Sequence, residues 1–480
     1  MISVIPTPKK MEIDEDKVFL LKTCVYFDNG EFEKSFGYFS DAFERIYESE
    51  LKLERGGIEF YRDNSLEKAH YAIKTEDNVL KVYAPDKDGM LFAMATVLQI
   101  LESTDNGIEC AEVFIEDYGD KEYRSLMVDL SRKWHPFDKL LRYIDICFLY
   151  KVKYLHLHFI DSVLYTLPST AFPKLAKPNR SYTREQIEFL NDYAESCGII
   201  IVPEFECPGH CPVLVKTYPE VFADKLETQT EGIVTERGVY LDTSNVLCAG
   251  SEVTWEATKT LLKEICDMFP ESPYINIGGD EVNIKQWNNC TVCKEYMNEH
   301  GIADEKELFC EYIGRVTDYV LSLGKTPLVW EGFPKEGAHH ISKDVIVISW
   351  ETRYHLPGEL LEEGFSIINC SWQPLYIVSH YRERWDPRDI LKWNVYNWQH
   401  WWPKSEACLN PITVAPTDKV LGGMVCAWTL TYEQEINFIM ENLAAMCERV
   451  WNIRRVVDDD TYLFRHIRLT TIASRLIQDR

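Results

Sequence analysis

Hydrophobic residues follow two rhythms along this chain. From Tyr123 onward, short apolar runs alternate with longer segments whose apolar residues recur at helical spacing. The runs at 125–130, 153–159, 199–205, 274–277, 327–330, 345–350, 366–370 and 422–428 read as strands, and 138–150, 183–196, 252–269, 305–323 and 433–451 as helices. Strand and helix in alternation predict an α/β chain of parallel βα units. Eight units favour a closed (β/α)8 TIM barrel over an open doubly wound sheet, and no Gly-x-Gly-x-x-Gly phosphate turn argues for the latter.

Residues 1–120 read differently. Alternation at 71–74 and 79–83 and helical spacing at 89–101 predict a small α+β domain of structural role, joined through the polar stretch 117–122. A last helical pattern at 458–480 is expected to pack outside. The domains are therefore 1–120, the barrel at 121–456, and a terminal helix at 457–480. A chain of 480 residues accommodates a barrel of ~250 residues or more plus such a partner.

Composition changes this picture in three ways. The net charge of −26 argues against nucleic acid and anionic membranes as partners, since both select basic patches. No window reaches the ~18 apolar residues of a membrane-crossing helix. The 13 Trp and 26 Tyr are a heavy aromatic load; flat rings suit sugars, although core packing is their commonest use. The 15 Cys are odd in number, and the opening Met-Ile-Ser-Val-Ile-Pro is too short for a signal segment, which together favour reduced thiols in a cytoplasmic protein. Cys290-Thr-Val-Cys293 is the one CxxC pair, and with no second pair at zinc-ribbon spacing no metal site is expected there.

Barrel sites are built from loops at C-terminal strand ends, so polar and aromatic residues should gather there. They do. The stretch 274–282, Tyr-Ile-Asn-Ile-Gly-Gly-Asp-Glu-Val, ends a strand on two glycines and the adjacent carboxylates Asp280 and Glu281. Such carboxylates either stay solvated in a turn or take two roles once their environments push their pKa values apart. The second strand ends His156-Leu-His158-Phe-Ile-Asp161, and the third Pro203-Glu204-Phe-Glu-Cys-Pro208-Gly209-His210. His156 and His158 share a strand face and suit either a core or, with Asp161, a metal-dependent hydrolase. Trp330, Trp350 and Trp428 end three further strands and Tyr376 comes after the seventh. One Trp would more often be core; three at one mouth would wall a pocket. Asp129 and Arg132 are expected to form a structural ion pair.

These strings resemble the signatures of glycoside hydrolase family 20, the β-N-acetylhexosaminidases. The matches are His-x-Gly-Gly-Asp-Glu-Val at 276–282, with Asn276 for the usual His, His-x-His-x-x-Asp at 156–161, and Pro-Glu-x-Asp-x-Pro-Gly-His at 203–210. The resemblance covers essentially the whole chain. It implies an exo-acting, retaining hydrolase of terminal β-linked GlcNAc or GalNAc, working by substrate-assisted catalysis through an oxazolinium intermediate. In that scheme Glu281 is general acid and base, Asp280 accepts the acetamido N–H, and Asp161 orients His210 against Glu281. The scheme also implies Trp330, Trp350 and Trp428 as a box for the acetamido group and Tyr376 as donor to its oxygen. Arg124 is expected on the sugar's O3 and O4, and an aromatic within 393–402 under the next sugar. The implied partner is a glycan or glycoconjugate, with no cofactor and no metal; a homodimer is left open. Val378 and Leu430 stand where many members carry acids or amides, with His380 nearby. Looser reading of O4, or acceptance of 6-sulfated GlcNAc, is therefore expected. A non-catalytic glycan-binding relative and a metal-dependent barrel hydrolase are the alternatives.

Overall fold

The computed structural model describes residues 3–28, 32–224, 246–378 and 385–478. Eight parallel strands close into a barrel: β1 (Tyr123–Asp129), β2 (Tyr154–His158), β3 (Ile200–Glu204), β4 (Tyr274–Asn276), β5 (Thr326–Trp330), β6 (Ile346–Ser349), β7 (Ser366–Asn369) and β8 (Val420–Trp428). Neighbours in sequence are neighbours in the sheet, and β8 pairs with β1 to shut the ring. The short strand Tyr376–Val378 takes over from β7 along the upper part of β8, with Tyr376 opposite Cys426. That step delivers Tyr376 to the mouth.

The period of two sorts the strand residues into two cores. Inward-facing Met127, Val202, Leu328, Ile348, Ile368 and Met424 fill the barrel. Its N-terminal end is plugged by stacked tyrosines, with Tyr123 and Tyr154 at 4.5 Å and Tyr154 and Tyr274 at 5.4 Å between centroids. Outward-facing Leu126, Leu155, Ile275, Val329, Val347 and Val425 pack under the helices Phe137–Leu149, Arg184–Cys197, Glu252–Met268, Glu305–Ser322 and Tyr432–Trp451. Local signals set the helix ends. Thr183 and Gln186 form a reciprocal capping box, and Gly198, at φ 69°, ends the same helix in the left-handed conformation.

The N-terminal region is a twisted sheet whose strands lie in the order Lys10–Leu20, Gly107–Asp117, Tyr71–Glu76, Val79–Ala84, Ile58–Arg62 and Cys24–Phe27. Helices Glu33–Tyr47 and Lys87–Ile100 lie between this sheet and the barrel, and one continuous apolar core runs through both. The sequence pattern hid Lys10–Leu20 because this edge strand is largely exposed and charged on both faces. The C-terminal helix Asp459–Leu476 packs outside against Glu33–Tyr47 and Tyr432–Trp451. Among the described residues no helix is long and apolar enough to cross a membrane.

Candidate active site

Near the C-terminal ends of β2, β3 and β4 the inward positions turn polar: His156, His158, Glu204 and Asn276 continue the faces that Tyr154, Val202 and Tyr274 hold below. All four are fully buried, so each needs a partner. Glu204 supplies most of them. It accepts from His156 Nε2 at 2.9 Å, His158 Nδ1 at 2.6 Å, Asn276 Nδ2 at 3.0 Å and Trp330 Nε1 at 2.6 Å. Asn276, in the position of the usual His, also holds the loop, because its side-chain oxygen accepts from Gly278 N at 3.0 Å. His158 Nε2 then meets Asp161 at 2.9 Å. Asp161 in turn pairs with Arg132 at 2.6 Å and lies 3.7 Å from His210 Nδ1.

His210 closes the chain on the two carboxylates, its Nε2 lying 3.4 Å from Glu281 and 4.0 Å from Asp280. Burial works against a charged His210, yet Asp161, Glu281 and Asp280 outweigh it and hold its pKa well above the ordinary histidine value. Burial would raise Glu281 too, but the His210 contact and charge, with Arg132 beyond, keep it below the usual carboxylate range. Asp280 goes the other way: burial, with Glu281 and Glu204 near it, pushes it up to about 6. The neighbours thus carry different affinities for a proton. Asp280 Oδ1 is buried and has no hydrogen-bond partner.

The backbone here is forced. His210 and Glu281 both sit in the left-handed region, at φ 51° and 48°, and Gly278 and Gly279 precede Glu281 at 71° and 91°. At φ 71° Gly278 sits where a side chain is strained, and a Cβ there would stand 1.8 Å from Glu206 Oε2 and have to displace this buried carboxylate. Glu206 is the unforeseen acid of the third string; burial, with Asp280 and Glu204 beside it, raises its pKa well above normal. Its presence in Pro-Glu-x-Glu was the available signal.

Aromatic rings wall the space above. Trp330 meets Trp350 at 6.3 Å and Trp428 at 6.0 Å between centroids, and Tyr376 lies between Trp350 and Trp372 at 6.1 and 5.0 Å. Trp401 extends the wall, edge-on to Trp372 at 5.3 Å. Within 393–402, Trp393 and Trp398 are buried instead, which leaves Trp401 and Trp402 partly exposed. The Trp350 loop hangs on Glu331. Its carboxylate accepts the backbone N–H groups of Glu351, Thr352, Arg353, Tyr354 and His355, at 2.7 to 3.4 Å, and its carbonyl accepts Trp350 Nε1. Glu351 itself is buried, with burial and the charges of Glu281 and Glu331 pushing it up to about 9.

Several expectations need correction. Arg124 is not at the mouth. It enters β1 next to inward-facing Tyr123, so it points outward at the opposite end of the barrel. There its guanidinium donates to the carbonyls of Lys151, Lys121 and Glu122 and lies over the Trp451 ring at 4.9 Å. Arg132 is the arginine of the site. It bridges Asp129 and Asp161, and its guanidinium lies 5.0 Å over Trp428. Leu430 is buried in the outer core, which leaves Val378, half-buried beside Tyr376, as the one apolar rim substitution; His380 lies outside the described residues. His156 and His158 spend ring nitrogens on Glu204 and Asp161, which disfavours their service as metal ligands. Finally, the CxxC pair is not isolated: Cys248 and Asp224 converge with Cys290 and Cys293, all four ligand atoms within 4.8 Å of one another.

Comparison with known proteins agrees with this fold. The chain is 27% identical over 336 residues to a β-hexosaminidase of Vibrio furnissii, covering 65% of this chain and 53% of that protein. It is 25% identical over 416 residues to the human β-hexosaminidase subunit beta, covering 82% and 69%. The chain thus spans about half the length of the Vibrio furnissii relative. In fold it is similar to the family 20 exo-β-N-acetylglucosaminidase of Vibrio harveyi, solved with N-acetylglucosamine, at a TM-score of 0.83 and 23% identity over 98% of this chain and 77% of that one. It is likewise similar to the β-N-acetylhexosaminidase of Bacteroides fragilis, at 0.78 and 21% over 97% and 94%. The model of glycosyl hydrolase family 20, domain 2, matches residues 1–118, and that of the family's catalytic domain matches 122–454. With the two family models covering nearly the whole chain and a closed eight-stranded barrel behind a small N-terminal domain, this chain belongs to glycosyl hydrolase family 20.

Proposed function

We propose that the protein is an exo-acting, retaining β-N-acetylhexosaminidase using its substrate's acetamido group as nucleophile. The observation that carries this reading is Asp280 Oδ1, a buried acceptor without a partner, next to the Glu281–His210–Asp161 chain at an aromatic mouth. An acetamido N–H donating to Asp280 would turn the amide oxygen toward the anomeric carbon, so that nucleophilic attack becomes a matter of positioning. The C1–O bond then breaks as Glu281 protonates the leaving oxygen, and an oxazolinium ion forms. Glu281 next removes a proton from water, which attacks C1 and reopens the ring with the β configuration restored. In the free site the required proton resides on the His210–Glu281 pair, whose imidazole is held charged by Asp161. Trp330, Trp350 and Trp428 would enclose the acetamido methyl, Tyr376 would donate to its oxygen, and Arg132 takes the hydroxyl-binding role first read at Arg124.

Turnover of aryl β-N-acetylglucosaminides tests this directly. Glu281→Gln should cost ~10²–10⁴-fold with poor leaving groups and much less with activated ones. Asp280→Asn should lose activity whatever the leaving group, and bind a thiazoline analogue of the cyclised intermediate weakly where the wild type binds it tightly. Equal leaving-group dependence in the two variants, or a sugar trapped covalently on either carboxylate, would overturn the reading.

A further inference from the structure

We propose that Asp224, Cys248, Cys290 and Cys293 form a structural zinc site that braces the loops carrying His210 and Glu281. Two thiolates on one tetrahedral zinc at ~2.3 Å stand ~3.8 Å apart. Cys248 Sγ lies 3.7 Å from Cys290 Sγ and 3.8 Å from Cys293 Sγ. These separations are far too long for a disulfide and match the edge of a metal tetrahedron. All three thiols are buried, and the fourth corner is a carboxylate whose Oδ1 is buried without a hydrogen-bond partner. Gln286 Nε2 donates to the other oxygen, Oδ2, at 2.8 Å, the orienting contact that metal-bound carboxylates commonly receive. Three thiolate sulfurs and one carboxylate oxygen make four ligands and close the shell, which is the pattern of a structural site with no open position for chemistry.

The ligands come from three stretches. Asp224 lies just after the short helix Pro219–Phe222, Cys248 sits before the helix Glu252–Met268, and the CxxC pair opens the helix Thr291–His300. The stretches are already tied to the active site. Leu247 N donates to the carbonyl of Pro208, two residues before His210, at 2.9 Å, and the Leu247 carbonyl accepts Trp287 Nε1 at 3.0 Å. A cation here would lock the Pro-Gly-His turn and the segment after Glu281 to one point, without touching substrate.

Elemental analysis of the full-length protein, expressed with zinc and dialysed, should find about one zinc per chain. Cys248→Ser and Cys293→Ser should lose the metal and lower Tm, whereas Cys266→Ser, in the helix Glu252–Met268 but outside the cluster, should keep it. The cobalt-substituted protein should show a thiolate-to-cobalt charge-transfer band. If the serine variants do not fold, stepwise mercurial titration of the wild type decides, since zinc should leave in step with thiol modification. Zinc below about a tenth per chain in folded protein that also fails to take up added Zn²⁺ would overturn the proposal. So would a disulfide joining Cys248 to Cys290 or Cys293.

Discussion

Two arginines eight positions apart illustrate how a single residue's direction decides its role. Alternation along β1 sends Tyr123, Ser125, Met127 and Asp129 to the barrel interior and Arg124 to the helix side. Arg124→Lys should therefore lower stability by on the order of 2–3 kcal/mol, because a point charge cannot serve the carbonyls of Lys151, Lys121 and Glu122 together, while KM stays put. Arg132→Lys should do the reverse, reducing kcat/KM about 10- to 100-fold, the worth of a charged hydrogen bond, with a small change in Tm. Chemical melts and Michaelis constants on both variants separate the outcomes; a KM effect at Arg124 would contradict the placement. The pH profile belongs at this scale too. In the proposed mechanism Asp280 has to be ionised to accept the acetamido N–H, and it is pushed up to about 6, so kcat/KM should fall as pH drops through that value. At the alkaline end activity should fall as His210 loses the proton that Asp161 holds on it. Asp280→Asn should erase the acid limb from its residual activity; an unchanged limb would mean another group titrates there. The carboxylate pair stood out in Gly-Gly-Asp-Glu, but adjacent acids at a strand end suit a solvated turn equally well, and only the resemblance of the longer strings told the two readings apart. The arginine was not legible: the string Tyr-Arg-Ser-Leu-Met-Val-Asp-Leu-Ser-Arg holds two arginines, and its resemblance to the family pattern does not tell which one the parity of β1 leaves at the mouth.

At the scale of elements, the strand ends were legible because fully buried parallel strands read as plain apolar runs. The turns just past those ends were harder to see. His210, Glu281, Thr352 and Thr429, after β3, β4, β6 and β8, all adopt positive φ. Each such residue costs of order 1–3 kcal/mol and persists only where its surroundings over-determine it. Non-glycine residues give no warning of this in a sequence. Glu331 shows how one loop is held: a single carboxylate gathers five consecutive backbone N–H groups, organising the turn that presents Trp350 and Glu351. Read from Leu-Val-Trp-Glu-Gly, Glu331 was simply the neighbour of a tryptophan. Glu331→Gln would place an amide donor against those donors, and should cost about 2–3 kcal/mol. It should also lower kcat/KM by up to ~10²-fold, the penalty of a wall displaced by an ångström. Wild-type kinetics in that variant would show that the loop holds its shape without the carboxylate.

Across the whole molecule, the N-terminal sheet is a structural part of the barrel rather than an appendage. Lys151, in the turn before β2, is fully buried and donates to Asp117 at 3.0 Å and to Tyr71 OH at 2.7 Å, both on the N-terminal sheet. Trp451, ending the last barrel helix, donates to the other oxygen of Asp117 at 2.8 Å and lies beneath both Lys151 and Arg124. Close by, Thr7 N donates to Glu448 at 2.6 Å and the Thr7 carbonyl accepts Asn452 Nδ2 at 2.8 Å. This knot lies at the end of the barrel away from Asp280 and Glu281, so it should govern stability and leave chemistry alone. The stretch 117–122, read from sequence as a polar linker, carries its central acid. Polarity in sequence does not distinguish a solvated tether from a buried ion pair, because the partner is decided by the fold. Asp117→Asn leaves a buried ammonium without its counter-charge, and should destabilise by about 3–5 kcal/mol. Because one apolar core spans both regions, unfolding should remain a single cooperative transition in the wild type and in this variant. Far-UV and near-UV melts, combined with aryl-glycoside turnover at a permissive temperature, make the test. Coincident melts, a lowered midpoint and an unchanged KM are expected. Two separate transitions in the wild type would mean that the N-terminal sheet folds on its own and that Lys151–Asp117 only docks it.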